Sequence, residues 1–270
     1  MLDPLTGTLL LAAGKHGPLM LMYHSVQATR TRPEWPWAVS IDDFRSHLDM
    51  LRSAGWQAPT MKQFLATPER FSKRTAVITF DDGYADNLAP MEMLRKRGMS
   101  ATCFVVSGSI GAAPKWPANG RPSGRILDAA EIRHLAESGI EIGSHTVSHL
   151  RLTELDPGRR RDELAHSKDQ LENILGQTVT SFAYPYGAYD DACEADVAAA
   201  GYLGACTTRT GMAVRDRSPF ALRRLTISNT DTAGALARKL FFMSNDGSWP
   251  QVGHYFRKRL SLRLGGKGNR

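Results

Sequence analysis

The sequence predicts an α/β protein: a single-domain, deformed (β/α)7-type barrel resembling a TIM barrel. Two patterns predict it. Helical stretches that end in glycine alternate along the chain with short runs of β-branched and aromatic residues. Those runs carry too little polar alternation to be half-exposed, so they read as strands buried on both faces, hence parallel and covered by helices. A third observation concerns the ends of the runs. Four of them lead directly into polar residues, as expected where strand C-termini open onto the active face of such a barrel.

The elements follow in order. Residues 1–18 form an N-terminal extension with a short apolar run. It lacks a basic leader and carries Asp3 and Pro4, so it reads poorly as a signal peptide. No stretch approaches the apolar length needed to span a bilayer, and the expectation is a cytoplasmic protein. The barrel spans residues 19–245, starting with a strand at 19–23. Ser40 caps a helix over 41–54, with Phe44, Leu48 and Leu51 at helical spacing and Gly55 as the stop. A strand at 76–80 leads to a helix over 84–97, stopped by Gly98. The strand 102–106 is followed by a connection rich in Gly, Pro and Ala over 107–127, longer than most and placed to overhang a site. Asp128 caps the next helix, with Glu131 three residues on, and Gly139 ends it. A strand at 141–144 precedes a helix opened by Asp156-Pro157 and running to Leu175 before Gly176. Then come a strand at 180–183, a helix over 190–200 closed by Gly201, strands at 203–207 and 225–227, and a helix over 231–242. About seven such units without a linker imply a barrel rather than an open sheet.

Composition narrows the function classes. Cys103, Cys193 and Cys206 are scattered and odd in number, which argues against a disulfide framework. The formal charge is +7, and part of it is local to the tail, residues 246–270. That tail reads as a solvated terminal helix or as a basic, aromatic stretch in peripheral contact with an anionic membrane. No basic stripe interrupts the remaining segments, so nucleic acid is not expected as a partner.

The chemistry gathers at the strand ends. Thr79-Phe80-Asp81-Asp82-Gly83 ends a strand in two acids, and His145-Thr146-Val147-Ser148-His149 places two imidazoles four residues apart. One carboxylate and two imidazoles make a three-ligand site for a divalent metal with positions left open. The remaining carboxylate is then free to take a proton from a water. Zinc fits the donor set; nickel, cobalt, iron or manganese share the ligand types. Ser144, Thr146 and Ser148 are placed to orient the rings. Tyr23-His24 and Tyr184-Pro185-Tyr186-Gly187 follow two further strands. Trp116 in the long connection, and Trp35 and Trp37 after the first strand, could stack on a sugar ring or tuck against the rim.

At these motifs the chain resembles the polysaccharide deacetylase family, the NodB-like metal-dependent N-deacetylases. The similarity runs from about Leu19 to Ile227 and is carried by the two runs above and by Phe182-Ala183-Tyr184-Pro185-Tyr186-Gly187. Met22-Tyr23-His24-Ser25-Val26 resembles the entry strand of the poly-N-acetylglucosamine deacetylase branch. The resemblance implies Asp81 as general base and Asp82, His145 and His149 as metal ligands. It implies a groove wall from Pro185 and Tyr186, with the Tyr186 N–H at the oxyanion; Tyr184 beside them and Trp116 in the long connection are expected to bind substrate. Two departures from the family pattern stand out. Ala183 occupies a position where many members carry an arginine, and Arg224, just before the strand at 225, is the replacement expected from this branch. The last strand lacks the family's Leu-x-His, which leaves the general acid open; His24 is the candidate, against a role in packing or substrate binding. The implied activity is metal-dependent removal of N-acetyl groups from a GlcNAc-containing polysaccharide or oligosaccharide. The rivals are an O-acetyl esterase, a deformylase on a lipid-linked sugar, a small-amide amidohydrolase, or an inactive saccharide-binding protein.

Overall fold

A computed structural model describes residues 2–71, 73–117, 120–121 and 123–265, with side chains described as far as Arg259. The chain runs α1 (Pro4–Ala13), β1 (Leu19–Tyr23), β2 (Ser25–Gln27), β3 (Ala38–Ser40), α2 (Ile41–Ser53), α3 (Met61–Ala66), β4 (Ala76–Phe80), α4 (Leu88–Arg95) and β5 (Thr102–Val105). It continues through α5 (Ala129–Glu137), β6 (Glu141–Ser144), α6 (Pro157–Leu175), β7 (Ser181–Ala183), α7 (Asp191–Ala199), β8 (Gly204–Cys206), β9 (Leu225–Thr226), α8 (Ala233–Phe242) and α9 (Trp249–Gly265).

Seven strands form one parallel sheet in the order β8-β7-β6-β5-β4-β1-β9, curled into a half-barrel with helices around it. A parallel bridge between Cys206 on β8 and Leu222, just ahead of β9, links the two edges. The fold is the deformed (β/α)7-type barrel predicted from the sequence.

Side-chain alternation sorts the core into two layers. Leu19, Leu21 and Tyr23 of β1, Ala76, Ile78 and Phe80 of β4, and Cys103 and Val105 of β5 pack in the larger cluster with the helices. Met20, Val77, Phe104, Ala183 and Cys206 form a second, interior cluster. Continuing the interior parity of β4 past Val77 reaches Thr79 and then Asp81, so strand geometry alone delivers Asp81 to the barrel mouth.

Three details depart from the sequence reading. The helix expected over 84–97 is a 3₁₀ turn at Ala85–Asn87 followed by α4. Pro90 has no N–H to give and fits only the first helical turn, which fixes how early α4 can begin. The N-terminal extension contains a helix, α1, capped by Asp3, whose side chain accepts from Thr6 N at 3.0 Å. Its Leu10 and Ala13 join the main core, and the helix packs on α8. The strand expected over 203–207 shortens to β8. Among the described residues no helix is long and apolar enough to cross a membrane.

Candidate active site

β4 delivers the acid pair. Asp81 N donates to Tyr23 O at 2.9 Å, extending the ladder by one residue. The chain then turns sharply, with Asp82 and Gly83 both left-handed at φ 72° and 82°. A Cβ on Gly83 would stand 3.1–3.2 Å from Val105, so the turn passes close against β5. This reversal sends the two carboxylates in different directions.

Asp81 meets Arg224. The guanidinium is fully buried and donates to both carboxylate oxygens, at 2.6 and 2.7 Å. It also donates to Thr79 Oγ1 at 3.1 Å and to Thr207 O at 2.9 Å, which fixes its plane. A two-pronged pair of this kind is the strong form of a charge-assisted hydrogen bond. Burial pushes the Asp81 carboxyl up, but Arg224 and then His145 outweigh it and hold the group below its ordinary value. Asp81 is therefore an oriented carboxylate at neutral pH.

Asp82 meets the imidazoles. Its Oδ1 lies 3.5 Å from His145 Nε2 and 3.3 Å from His149 Nε2. The three residues are buried and can offer ligand atoms all within 4.8 Å of one another. His145 extends β6, donating its backbone N–H to Val105 O at 3.0 Å. Its Nδ1 stands 2.7 Å from Ala183 O, a carbonyl that only accepts. The ring proton therefore sits on Nδ1, and the Nε2 lone pair faces Asp82. Burial pushes the His145 imidazole down to about 4, so it is neutral when a cation arrives. Burial opposes ionisation of Asp82, but the hydrogen bond and charge of His149 pull its carboxyl far below the usual range. A carboxylate oxygen and two imidazole nitrogens, buried and convergent, fit a divalent metal.

The segment between the histidines is a loop, not a helix. Thr146 and His149 are left-handed, at φ 66° and 57°, each costing roughly 1–2 kcal/mol for a residue with a side chain. The His149 ring stacks on Trp116 at 4.6 Å and meets the Tyr186 ring at 4.6 Å on a tilt of 63°.

A cavity of about 130 Å³ joins these groups, lined by Asp81, Asp82, His145 and His149 together with His24, Trp35, Trp37, Tyr84, Trp116, Arg121, Tyr186 and Thr208.

Comparison with known proteins decides the family. Residues 69–205 match the family described as Polysaccharide deacetylase. The Bacillus subtilis (strain 168) protein YxkH, named for the same family, is 33% identical over 213 residues, covering 77% of this chain and 71% of its own. The chain belongs to the polysaccharide deacetylase family. The family's chemistry is that of a hydrolase acting on amide bonds. A chitin deacetylase of Arthroderma benhamiae is 32% identical over 120 residues, which cover 43% of this chain and only 29% of that protein. Among solved structures, the Streptococcus pyogenes deacetylase PplD, in complex with acetate, superposes with a TM-score of 0.71 at 23% identity, over 83% of this chain and 98% of that one. IcaB from Ammonifex degensii gives a TM-score of 0.70 at 24% identity, over 84% and 97%. These two share the fold.

Against this deacetylase frame, most residues singled out in the sequence converge. Asp81, Asp82, His145, His149, His24, Trp116 and Tyr186 line one cavity, with Arg224 behind Asp81. Tyr184 and Pro185 do not line it. Interior parity on β7 belongs to Ala183, so Phe182 and Tyr184 face the helix layer, where Tyr184 packs against Phe182 and Tyr189, both at 5.2 Å. Pro185 is buried beside it.

Three contributors were missed in the sequence. Tyr84 lines the cavity, and burial followed by the Asp82 charge drives its phenol well above the usual range, leaving it a neutral donor. Asn87 accepts from Val26 N at 3.1 Å and donates to His24 O at 2.6 Å, pinning the backbone that carries His24. Glu163 is an acid on the buried stripe of α6 beside Arg160, Leu164, Ser167 and Leu171. The helical spacing of that stripe was the available signal.

Proposed function

We propose that this chain is a metal-dependent hydrolase that removes N-acetyl groups from a GlcNAc-containing polysaccharide or glycan. The observation that carries this reading is the division of labour between adjacent acids. Asp82 faces two buried imidazoles, Asp81 is held by Arg224 outside that cluster, and both border one cavity. Similarity to a chitin deacetylase and, at 22% identity over 132 residues, to a peptidoglycan-N-acetylglucosamine deacetylase of Listeria monocytogenes supports the substrate class.

Asp82, His145 and His149 would hold the ion, zinc by the chemistry of its donors, with nickel, cobalt, iron and manganese as alternatives. When bound, a divalent ion supplies Lewis acidity that lowers the pKa of water and polarises a carbonyl. The chain does the rest. Asp81, ionised and oriented, takes a proton from the attacking water as oxygen bonds to the acetamide carbon. The Tyr186 N–H donates to the carbonyl oxygen as charge builds there; one such donor is typically worth ~3–4 kcal/mol. His24 supplies a proton to the departing nitrogen as the C–N bond breaks, giving acetate and a free amine. His24 lines the cavity, and its Nδ1 is buried without a hydrogen-bond partner among the described residues. The sugar ring would sit at the mouth, where exposed Trp37 offers a face.

Acetate release by protein stripped of metal and reloaded with single ions, on chitooligosaccharides, poly-N-acetylglucosamine and acetyl-xylan, tests this reading. Release from the two amide substrates, restored by one ion, is expected. Release from acetyl-xylan alone would make the protein an O-acetyl esterase, and no release from any would support a binding role.

The same proposal includes peripheral contact with an anionic membrane. From Gly247 onward the chain has no acid and carries Arg257, Lys258, Arg259, Arg263, Lys267 and Arg270. Trp249 and Phe256, 49% and 44% exposed, lie two turns apart on α9. Such a surface should pellet with phosphatidylserine vesicles at low salt, and R257E/R259E should pellet less. Equal pelleting of both proteins would count against it.

A further inference from the structure

The loop that carries the two imidazoles is gripped by one carboxylate. Since residues 145–149 are not helical, their peptide N–H groups need acceptors from elsewhere. Thr146 Oγ1 accepts from His149 N at 2.9 Å. The N–H groups of Val147 and Ser148 converge on a single atom, Glu163 Oε2, at 2.9 and 2.8 Å. Glu163 comes from α6 and is 2% exposed. Its Oε1 accepts from Arg159, one turn back, at 3.0 Å. On the other side, Ser107 N and Gly108 N donate to Thr146 O and Val147 O at 3.1 and 3.0 Å. The approach at Gly108 is so close that a Cβ there would fall 2.5 Å from Val147 O. The peptides between the histidines are thus clamped from both sides.

A buried carboxylate is a costly acceptor for two neutral N–H groups, and a neutral amide oxygen would hold the same donors less strongly. Its place in the loop gives the charge a use. Fixing Val147 and Ser148 fixes the separation and tilt of His145 and His149, which must present Nε2 to one point beside Asp82. We propose that Glu163 is a positioning residue for the metal site, locking the left-handed turn so that both imidazoles stay aimed before an ion binds. The inference rests on Asp82, His145 and His149 being the ligands, as proposed above.

The test uses the full chain. Zinc affinity is measured by competition with a chromophoric chelator, and thermal unfolding is followed on zinc-free protein. E163Q should bind zinc about 10–100-fold more weakly, and turnover should recover at saturating zinc. R159A, which removes only the outer salt-bridge partner, should keep wild-type affinity. If E163Q does not fold, E163D withdraws the same charge by one methylene and carries the same expectation. Wild-type zinc affinity in E163Q, with a lowered zinc-free Tm, would show a merely structural acid and overturn the inference alone. A wild-type chain that binds no divalent ion overturns the ligand reading and this inference with it.

Discussion

Asp81→Asn should lower kcat on an N-acetylglucosamine oligomer by about 10²–10⁴-fold, the range a positioned general base supplies. The amide keeps the shape and its oxygen can keep one of the two contacts to Arg224, so the site should stay assembled. Metal content should therefore remain at the wild-type level. This split separates Asp81 from Asp82, whose loss should empty the site. Loss of metal in Asp81→Asn would mean that the roles of the two acids are shared or reversed.

Arg224→Met should be the most destabilising single change at the site. It leaves the Asp81 carboxylate buried with its partner gone, and breaking a buried pair from one side typically costs about 3–5 kcal/mol. The pH dependence should also change sign. In the wild type the Asp81 carboxyl lies below its ordinary value because Arg224 and His145 outweigh burial. Such a group contributes stability that is present above the unfolded pKa and lost as pH falls through the folded one. Without the guanidinium, burial dominates and the folded pKa rises above the unfolded value. The contribution is then full at low pH and is lost as pH rises through the folded value. Urea unfolding of metal-free protein across the acid-to-neutral range measures both effects. Equal stability of the two proteins at pH 7 would show that the pair contributes little to the fold.

The parts of this site that were legible in the sequence are those whose chemistry is compressed into a few residues. Asp81-Asp82 and His145–His149 each sit directly after a buried apolar strand, and a barrel brings strand ends together whatever lies between them. Arg224 was different: it stands 143 residues from Asp81, and nothing in its own neighbourhood separates it from Arg223. Only the resemblance pointed to it, and the structure pairs Arg223 with Asp216 instead. Tyr184 lies in the helix layer because alternation along its strand turns Ala183 inward instead, which a continuous motif hides. Glu163 was overlooked because it follows Arg159, Arg160, Arg161 and Asp162, a run that reads as a solvated face. The helix α4 starts later than the pattern over 84–97 suggests because Pro90 fits only its first turn. Local pattern thus located the strands and the donors, while contacts between strand ends and across helix faces required the fold.

The central claim is that Asp82, His145 and His149 hold one cation while Asp81 does not. Elemental analysis of dialysed protein tests it directly, comparing wild type with D81N, D82A and H149A. About one equivalent of a divalent metal per chain in wild type and D81N, with little or none in D82A and H149A, is the predicted result. Metal retained in D82A and H149A at the wild-type level would contradict it.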